Sequence, residues 1–220
     1  MISAIVPTLD EAATIGPLVG ALRAMVDEVV VSDAGSGDGT VDVARAAGAL
    51  VVTGARGRGP QMDLAATAAR GERLWFVHAD SALPAGCGEA LRHARGPWGC
   101  FETRIDSEDP RLRFTGAWMS KRARRSGACS GDMGIWSDRP FFESLGGFGS
   151  LPAFEDLAFA DRARRAHPCE VLQPTLGTSA RRWTTDGVNR TILQFWLLRL
   201  GYRAGLDPIR LSRAYRSRPR

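Results

Sequence analysis

Carboxylates and arginines occur together in places where they could bind an anionic ligand and a cation. Glu11, Asp33 and Asp80 each come shortly after an apolar segment. Carboxylates alone would repel a diphosphate, so they need a divalent cation or the hydroxyl groups of a sugar as partners. Arg58, in a glycine-rich segment, suits the diphosphate itself. This combination predicts a site for a nucleotide diphosphate and a metal ion.

The elements that must position these residues alternate regularly in the first hundred residues. Apolar runs predict strands over 2–6, 28–32, 49–53 and 74–77, and helical spacing predicts helices over 9–26, 41–47, 61–69 and 88–94. This alternation indicates a mostly parallel sheet with helices on both faces. Ligands of such sheets bind beyond the carboxyl ends of the strands, where the acids lie.

The pattern changes after residue 98. Further strands are predicted over 100–105, 134–136 and 170–173, and helices over 112–125, 141–145, 155–166 and 188–204, followed by an arginine-rich tail. We therefore expect an α/β domain over 1–185 and a C-terminal helical appendage over 186–220.

Composition excludes several classes of protein. The chain has 220 residues, 29 basic and 24 acidic, and 44% of them are hydrophobic, which is ordinary for a globular protein. Its apolar runs fall short of the roughly 18 residues that span a bilayer, and acids near the N-terminus do not fit a signal peptide. We expect a cytoplasmic protein. Four cysteines without CxxC spacing predict reduced, mostly buried thiols and argue against a zinc site.

Positive charge is concentrated at the C-terminus. Residues 181–220 carry ten arginines and two aspartates, a net charge of +8, which leaves −3 for residues 1–180. The segment 192–198 is apolar almost all round, so its helix either is buried in the core or a homo-oligomer interface, or lies on a membrane surface. The second alternative would make a lipid or lipid-linked acceptor plausible.

Each candidate also has a purely structural interpretation. The segment 35–39 reads Gly-x-Gly-x-Gly rather than GxGxxG, which argues against a dinucleotide site. His78 at a strand end is more often packed than catalytic. Glu155 and Asp156 could simply complement the positive end of a helix. Asp80, just past a strand, has no packing reason to be acidic, and we favour a functional role for it.

Taken together, these motifs resemble the family 2 glycosyltransferases of GT-A fold, in the short single-domain bacterial branch that has H-A-D in place of D-x-D. The similarity extends from residue 2 to about residue 215. It is carried by VPTLDE at 6–11, SDAGSGDGT at 32–40, QM at 61–62, HAD at 78–80, GDMGI at 131–135, LGGF at 145–148, FED at 154–156 and SARRW at 179–183.

The resemblance implies roles for residues at the matching positions. It implies nucleotide binding by Pro7, Thr8, Glu11, Asp33, Arg58, Gln61 and Asp80, with Asp80 also binding a metal. It implies that Asp156 is the catalytic base, with Glu155 beside it. It implies acceptor or diphosphate contacts by Gly131, Asp132, Arg182 and Trp183.

Several positions depart from the family pattern, including Pro60 and Asp63, which flank Gln61-Met62 where the branch usually has R-Q-M-N. Asp10 replaces the usual Asn, His78 replaces the first acid of D-x-D, and Ser179 replaces the Gln of Q-x-x-R-W, which argues against processive synthesis.

The sequence thus predicts an inverting, metal-assisted glycosyltransferase that uses a nucleotide sugar, most simply a UDP-sugar with Mg²⁺ or Mn²⁺, and a small-molecule or lipid-linked acceptor. Peripheral contact with the inner membrane face through the C-terminal helix is a further expectation. The alternatives are a sugar nucleotidyltransferase and a non-enzymatic protein that binds anions or nucleic acid through its basic C-terminal segment. We do not expect nucleic acid to be a partner, because aromatic residues are scarce among the C-terminal arginines.

Overall fold

Strands and helices alternate through the first half of the chain, as the apolar periodicity predicts. The computed structural model describes residues 1–54 and 56–215. In its first half the elements are β1 (Ile2–Thr8), α1 (Ala12–Arg23), β2 (Glu28–Asp33), α2 (Thr40–Ala46), β3 (Leu50–Thr53), α3 (Arg58–Ala68), β4 (Arg73–Phe76), β5 (Ser81–Ala82) and α4 (Cys87–His93).

The second half is less regular. Its elements are β6 (Trp98–Asp106), α5 (Pro110–Ser126), a 3₁₀ turn (Gly131–Met133), β7 (Trp136–Asp138), α6 (Arg139–Ser144), α7 (Glu155–Ala166), β8 (Glu170–Ser179), α8 (Arg181–Asp186), α9 (Val188–Arg203) and α10 (Pro208–Tyr215). The sequence predicted α7 to the residue but ended the last strand six residues early and missed α8. It was also wrong in expecting only a tail after α9, because α10 follows; residues 216–220 of that tail lie outside the described residues.

The strands form one mixed sheet in the order β3-β2-β1-β4-β7-β6-β8-β5 within the described residues. The β3-β2-β1-β4 part is wholly parallel, and β6 also runs parallel to β8, whereas β7 is antiparallel to both of its neighbours and β5 to β8. The predicted α/β class, a sheet flanked by helices, is confirmed. The parallel part brings the carboxyl ends of β1, β2 and β4 to one edge.

Alternate residues of β1 pack on opposite faces of the sheet. Ala4 and Val6 pack into one apolar layer with α1, and Ile5 packs into the other layer. The second layer contains an aromatic cluster in which the Phe148 ring lies 4.7 Å from Phe76 and 4.9 Å from Phe159, centroid to centroid. This cluster supports the loop that leads into α7.

No helix within the described residues combines the length and the apolar character required to cross a bilayer.

Candidate active site

Asp33, at the end of β2, is held by a dense set of hydrogen bonds. Thr8 lies opposite it on β1, and its hydroxyl donates to Asp33 Oδ2 at 3.1 Å. The N–H groups of Gly35 and Ser36 donate to Oδ1 at 2.9 and 2.8 Å, and the Ser36 hydroxyl also donates to Oδ2. Burial by itself would raise the pKa of this carboxyl, but the hydrogen bonds lower it below its ordinary value. Asp33 is therefore an ionised acceptor at the sheet edge.

The loops after β1 and β2 are joined to one another. Asp10 adopts a left-handed backbone conformation (φ 56°), which Asp and Asn tolerate better than most residues. Its Oδ1 accepts from the Gly37 N–H at 3.0 Å, and its own N–H donates to the Ser36 hydroxyl at 2.8 Å. The Asn-to-Asp departure from the family pattern thus preserves the local geometry.

Gln61, expected to bind nucleotide, is buried in α3. Its Nε2 donates to the main-chain oxygens of Thr8 and Ser32, at 2.9 and 2.8 Å. These bonds fix the carboxyl ends of β1 and β2 side by side. Pro7 lies in the same register, opposite Ser32.

Glu11 and Asp80 both lie near Arg181, which comes from a distant part of the chain. Glu11 Oε1 lies 3.4 Å from the Arg181 guanidinium at the start of α8. A cleft of about 450 Å³ is bordered by Asp80, Arg181, Ser179 and residues of α1. The sequence did not predict Arg181, which stands next to the Arg182 of the family motif.

A second cluster forms around Gly131, in the 3₁₀ turn. The Gly131 N–H donates to Asp156 Oδ2 at 2.7 Å, and His78 Nδ1 lies 3.1 Å from Asp132 Oδ1. A Cβ atom at residue 131 would lie 2.6 Å from His78 Nε2 and 3.6 Å from Asp156 Oδ2. Any side chain at residue 131 would displace the His78 ring, whereas its contact with the Asp156 carboxylate would be an ordinary one. His78 therefore belongs to the site, although the sequence favoured a packing role for it.

Two carboxyl groups of this cluster have displaced pKa values. Burial by itself would raise the pKa of Asp132, but the hydrogen bond and charge of His78, with Arg58 and Arg182, lower it below its ordinary value. Burial, followed by repulsion from Asp156, raises the pKa of Glu155 to about 7, against the opposing charges of Arg58 and His78. Arg58 therefore lies within electrostatic range of both carboxyl groups.

The start of α7 is held in place by contacts from α3. Phe154, just before Glu155, has the left-handed backbone angle φ 67°, which is a strained conformation for a large side chain. Asp63 of α3 accepts from the N–H groups of Phe148 and Gly149, at 2.9 and 2.8 Å. A Cβ atom at Gly59 would collide with the Gly149 carbonyl and lie 3.3 Å from Glu155 Cβ. Asp63, which the sequence did not assign to the site, thus positions the loop that carries Glu155 and Asp156.

Arg182 and Trp183 connect the site to the C-terminal helix. The Arg182 guanidinium lies 5.1 Å from the centroid of the Phe195 ring, and the Trp183 and Phe195 ring centroids are 5.2 Å apart. Arg182 also lies within electrostatic range of Asp132.

Three of the four cysteines meet in the core, which their spacing did not indicate. The Sγ atoms of Cys100, Cys129 and Cys169 all lie within 4.8 Å of one another, and all four thiols are free.

The residues around Asp80 are compatible with a divalent cation of the Mg²⁺ or Mn²⁺ type. Within the described residues no hydrogen bond or ion pair engages the Asp80 carboxylate, which is half-buried in the cleft. Mg²⁺ is commonly held by one or two carboxylates together with substrate phosphates and waters. One hard oxygen donor at the cleft meets that requirement, whereas His78 is engaged with Asp132.

Residues 3–97 match the protein-family model "Glycosyl transferase family 2". No curated protein matches the chain in sequence.

Several solved structures share the fold. S. aureus TarS 1–349 is 17% identical over 81% of this chain and 60% of its own, with a TM-score of 0.64. Glucosyl-3-phosphoglycerate synthase from Mycobacterium tuberculosis, solved with Mg²⁺ and uridine diphosphate, is 22% identical over 81% and 70%, with a TM-score of 0.60. A mannosyltransferase from Pyrobaculum calidifontis, solved with GDP-Man and Mn²⁺, is 23% identical over 80% and 56%, with a TM-score of 0.61. This chain spans less than two thirds of the first and third of these relatives.

The family match lies where the sequence motifs 6–11, 32–40 and 78–80 lie, and the fold agrees over four fifths of the chain. The resemblance expected from the sequence is confirmed: residues 3–97 match the model of glycosyl transferase family 2, and the chain shares a GT-A fold with these solved structures.

Proposed function

We propose that the protein transfers a sugar, with inversion, from a nucleotide-diphosphate sugar to an acceptor hydroxyl. The observation that carries this proposal is the meeting of His78, Asp132 and Asp156 around Gly131, in a fold whose sheet edge holds Asp33 ionised. One end of the site thus offers acceptors for a nucleoside, and the other offers a base flanked by cationic groups.

The nucleoside end favours hydroxyl and imide N–H donors. Glu11 offers a carboxylate beside Arg181. Asp33 already accepts four hydrogen bonds from Thr8, Gly35 and Ser36, so it shapes the two loops around the nucleoside and leaves the main-chain oxygens of these loops and Glu11 as the acceptors. Uracil has an imide N–H and ribose has two hydroxyl groups, which suit these acceptors. The UDP and Mg²⁺ found with the mycobacterial synthase support uridine as the first base to test, whereas GDP-Man bound to the archaeal mannosyltransferase makes guanosine the second.

The diphosphate would lie near Arg58 and Arg182. Both guanidinium groups act electrostatically on Asp132, so they converge on the space in front of the 3₁₀ turn. There they would stabilise the charge that develops on the departing diphosphate. A divalent cation held by Asp80 would supply further charge neutralisation to the same oxygens.

Asp156 is the proposed general base. It is half-buried and therefore reachable, whereas Glu155 is buried beneath Gly59. The N–H groups of Gly131 and Leu157 each donate to one of its oxygens at 2.7 Å, which fixes the direction of the remaining lone pairs. Asp156 takes the proton of the acceptor hydroxyl, that oxygen bonds to the anomeric carbon, and the diphosphate leaves with the electron pair of the broken bond.

Three more detailed expectations from the sequence are part of the same proposal. They are a small-molecule or lipid-linked acceptor, action in the cytoplasm, and a domain boundary at residue 185. The roles of Pro7, Gln61, Gly131, Asp132 and Trp183 in ligand contacts are likewise proposals, supported by their places around the site.

Nucleotide binding is the first experiment. UDP, GDP and their sugars are added, with and without Mn²⁺, and thermal unfolding is followed; at one hundred times its dissociation constant a ligand adds about 2.7 kcal/mol of stability. We expect one diphosphate to stabilise the protein more with Mn²⁺ than without, and Asp80→Ala to abolish that difference. If no nucleotide shifts the midpoint, the proposed donor site is wrong.

The base is tested by release of UDP from UDP-sugars. Asp156→Asn should retain the UDP-induced thermal shift and lower UDP release by about 100-fold or more, because the carboxylate that accepts the proton is lost. Asp161→Asn is the matched control, since Asp161 lies on the same helix and pairs with Arg164. Near-normal release by Asp156→Asn would remove Asp156 from the role of base.

A further inference from the structure

Helix α9 exposes an apolar stripe to solvent. Leu193, Trp196, Leu197 and Leu200 recur at helical spacing, so they share one face of the helix. Each exposes 59–65% of its surface. The residues that α9 buries, Thr191, Leu198 and Gly201, lie on a different face. The helix therefore has two apolar faces, and only one of them packs against the described protein.

Helix α5 lies beside α9 and extends this surface. The Arg111 guanidinium near the start of α5 donates to Asn189 Oδ1 near the start of α9, at 2.8 Å. At the other ends of the two helices, Arg122 lies within electrostatic range of Arg199 and Arg203. The helices thus run side by side in the same direction, which places the exposed Phe114 and Trp118 of α5 next to α9.

Helix α10 adds to the same end of the molecule. Leu206 and Leu211 lie against Gly201 of α9, and Leu206 and Ile209 each expose more than half of their surface. We call the combined surface the α5–α9–α10 face. It consists of Phe114, Trp118, Leu193, Trp196, Leu197, Leu200, Leu206 and Ile209.

The three helices that form this face carry charges of a single sign, although Asp109 precedes α5 and Asp207 precedes α10. Residues 110–126, 188–203 and 208–215 contain eleven arginines and lysines, and neither aspartate nor glutamate. Arg190 and Arg203 stand near the two ends of the α9 stripe. Long basic side chains at the margins of an apolar surface can reach lipid phosphates while leucine and tryptophan enter the interface.

We propose that the α5–α9–α10 face docks on a bilayer that contains anionic lipids. A second copy of the chain fits poorly, because a two-fold contact would bring the same cationic set against itself. Nucleic acid also fits poorly, since the centre of the face is leucine and tryptophan rather than a groove lined by arginines. Anionic lipid is the partner that uses both the apolar centre and the basic surroundings.

The face adjoins the proposed site, although docking does not depend on the proposed function. Arg122 and Arg199 lie within electrostatic range of Asp156, and Trp183 of α8 packs on Phe195 of α9. A docked protein would therefore hold its proposed base close to the bilayer. That arrangement suits an acceptor that is a lipid or is linked to one.

Co-sedimentation with vesicles tests the proposal directly. The full chain is mixed with vesicles of phosphatidylcholine alone, or of phosphatidylcholine with phosphatidylglycerol, at low and high salt. We expect binding to the anionic vesicles that weakens with salt, and little binding to the neutral ones. Absence of binding to anionic vesicles would overturn the proposal.

Two matched variants distinguish vesicle binding through this face from non-specific vesicle binding. Trp196→Glu should lower partitioning onto anionic vesicles by about tenfold or more, because it removes one inserted aromatic side chain and adds a negative charge. Leu50→Glu is the control, since Leu50 is 47% exposed on β3, at the far edge of the sheet. Equal binding by both variants would refute the assignment to this face.

The oligomeric state of the same variants completes the test. If the unaltered chain is a dimer by light scattering and Trp196→Glu is a monomer, the face is an interface between copies and the membrane proposal is wrong. If Trp196→Glu leaves the oligomeric state unchanged but abolishes vesicle binding, the membrane proposal is supported. Nucleotide-induced thermal shifts should be the same in both proteins, so failure of the donor site and failure of docking are distinguishable.

Discussion

Glu155 should make the stability of the protein depend on pH across the neutral range. Its carboxyl is buried next to Asp156, and its pKa in the folded state is raised from 4.5 to about 7. In the unfolded chain the pKa returns to its ordinary value. The folded state therefore retains a proton on Glu155 over a range of pH in which the unfolded state has already lost it.

The sign and size of the effect follow from this difference. A raised folded-state pKa contributes stability that is fully present below pH 4.5 and is lost as the pH rises through about 7. The displacement corresponds to an upper bound of about 3 kcal/mol in the free energy of unfolding. Glu155→Gln replaces the carboxyl by a neutral group of the same shape at every pH, so the variant should not show this loss.

The assay is urea unfolding of both proteins at pH 5 and pH 8. The measured quantity is the free energy of unfolding of Glu155→Gln minus that of the natural chain. We expect this difference to be about 1–3 kcal/mol larger at pH 8 than at pH 5. Glu108→Gln is the control, because Glu108 is exposed in the loop before α5, and its relative stability should not change with pH. A Glu155→Gln difference that is the same at pH 5 and pH 8 would refute the interpretation of Glu155 as a buried acid repelled by Asp156.

Three further predictions concern the framework of the site. Asp63→Ala leaves the N–H groups of Phe148 and Gly149 without their acceptor and should lower the free energy of unfolding by about 1–3 kcal/mol, measured with urea. Gly131→Ala should preserve the far-ultraviolet circular dichroism but abolish UDP release, because its Cβ atom would displace the His78 ring; unchanged release would show that this close packing is not needed. Asp33→Asn should weaken the thermal shift by UDP while leaving vesicle binding unchanged, and an undiminished shift would place the nucleoside elsewhere.

The meeting of Thr8 and Asp33 at one end of the candidate site could be predicted from the sequence, because it depends on local rules. Thr8 and Asp33 end neighbouring parallel strands, and the carboxyl ends of such strands meet at one edge whatever the remaining chain does. Apolar spacing and the acidic pair at its start were likewise sufficient to predict α7. Only the hydrogen-bond network around Asp33, which spans two loops, required the structure.

The other end could not be predicted, because it depends on long-range packing of irregular segments. His78 meets Asp132 across 54 residues, and that contact requires the 3₁₀ turn to lie against the end of β4. Asp63 is an ordinary helical residue in sequence, and its role becomes visible only when the loop before α7 closes over it. The helix α10 was missed because it is only eight residues long and lies in an arginine-rich segment, although Leu211 packs against Gly201.

Asp156 lies between two groups of arginines that come from different parts of the chain. Arg58 and Arg182, on α3 and α8, act on Asp132, and Arg58 also acts on Glu155. Arg122 and Arg199, on α5 and α9, act on Asp156 from the side of the α5–α9–α10 face. The first group has a task in the proposed reaction, because a departing diphosphate needs positive charge. The second group comes from the helices of the α5–α9–α10 face, beside the exposed leucines and tryptophan, and Arg122 Nε also donates to the carbonyl oxygen of Ala128 at 2.9 Å. An anionic surface that also accepts apolar side chains would engage the exposed leucines and tryptophan of this face, and it would bring a lipid-linked acceptor close to Asp156. Inversion then requires the acceptor hydroxyl to lie between Asp156 and the anomeric carbon, on the face of the sugar opposite the departing diphosphate.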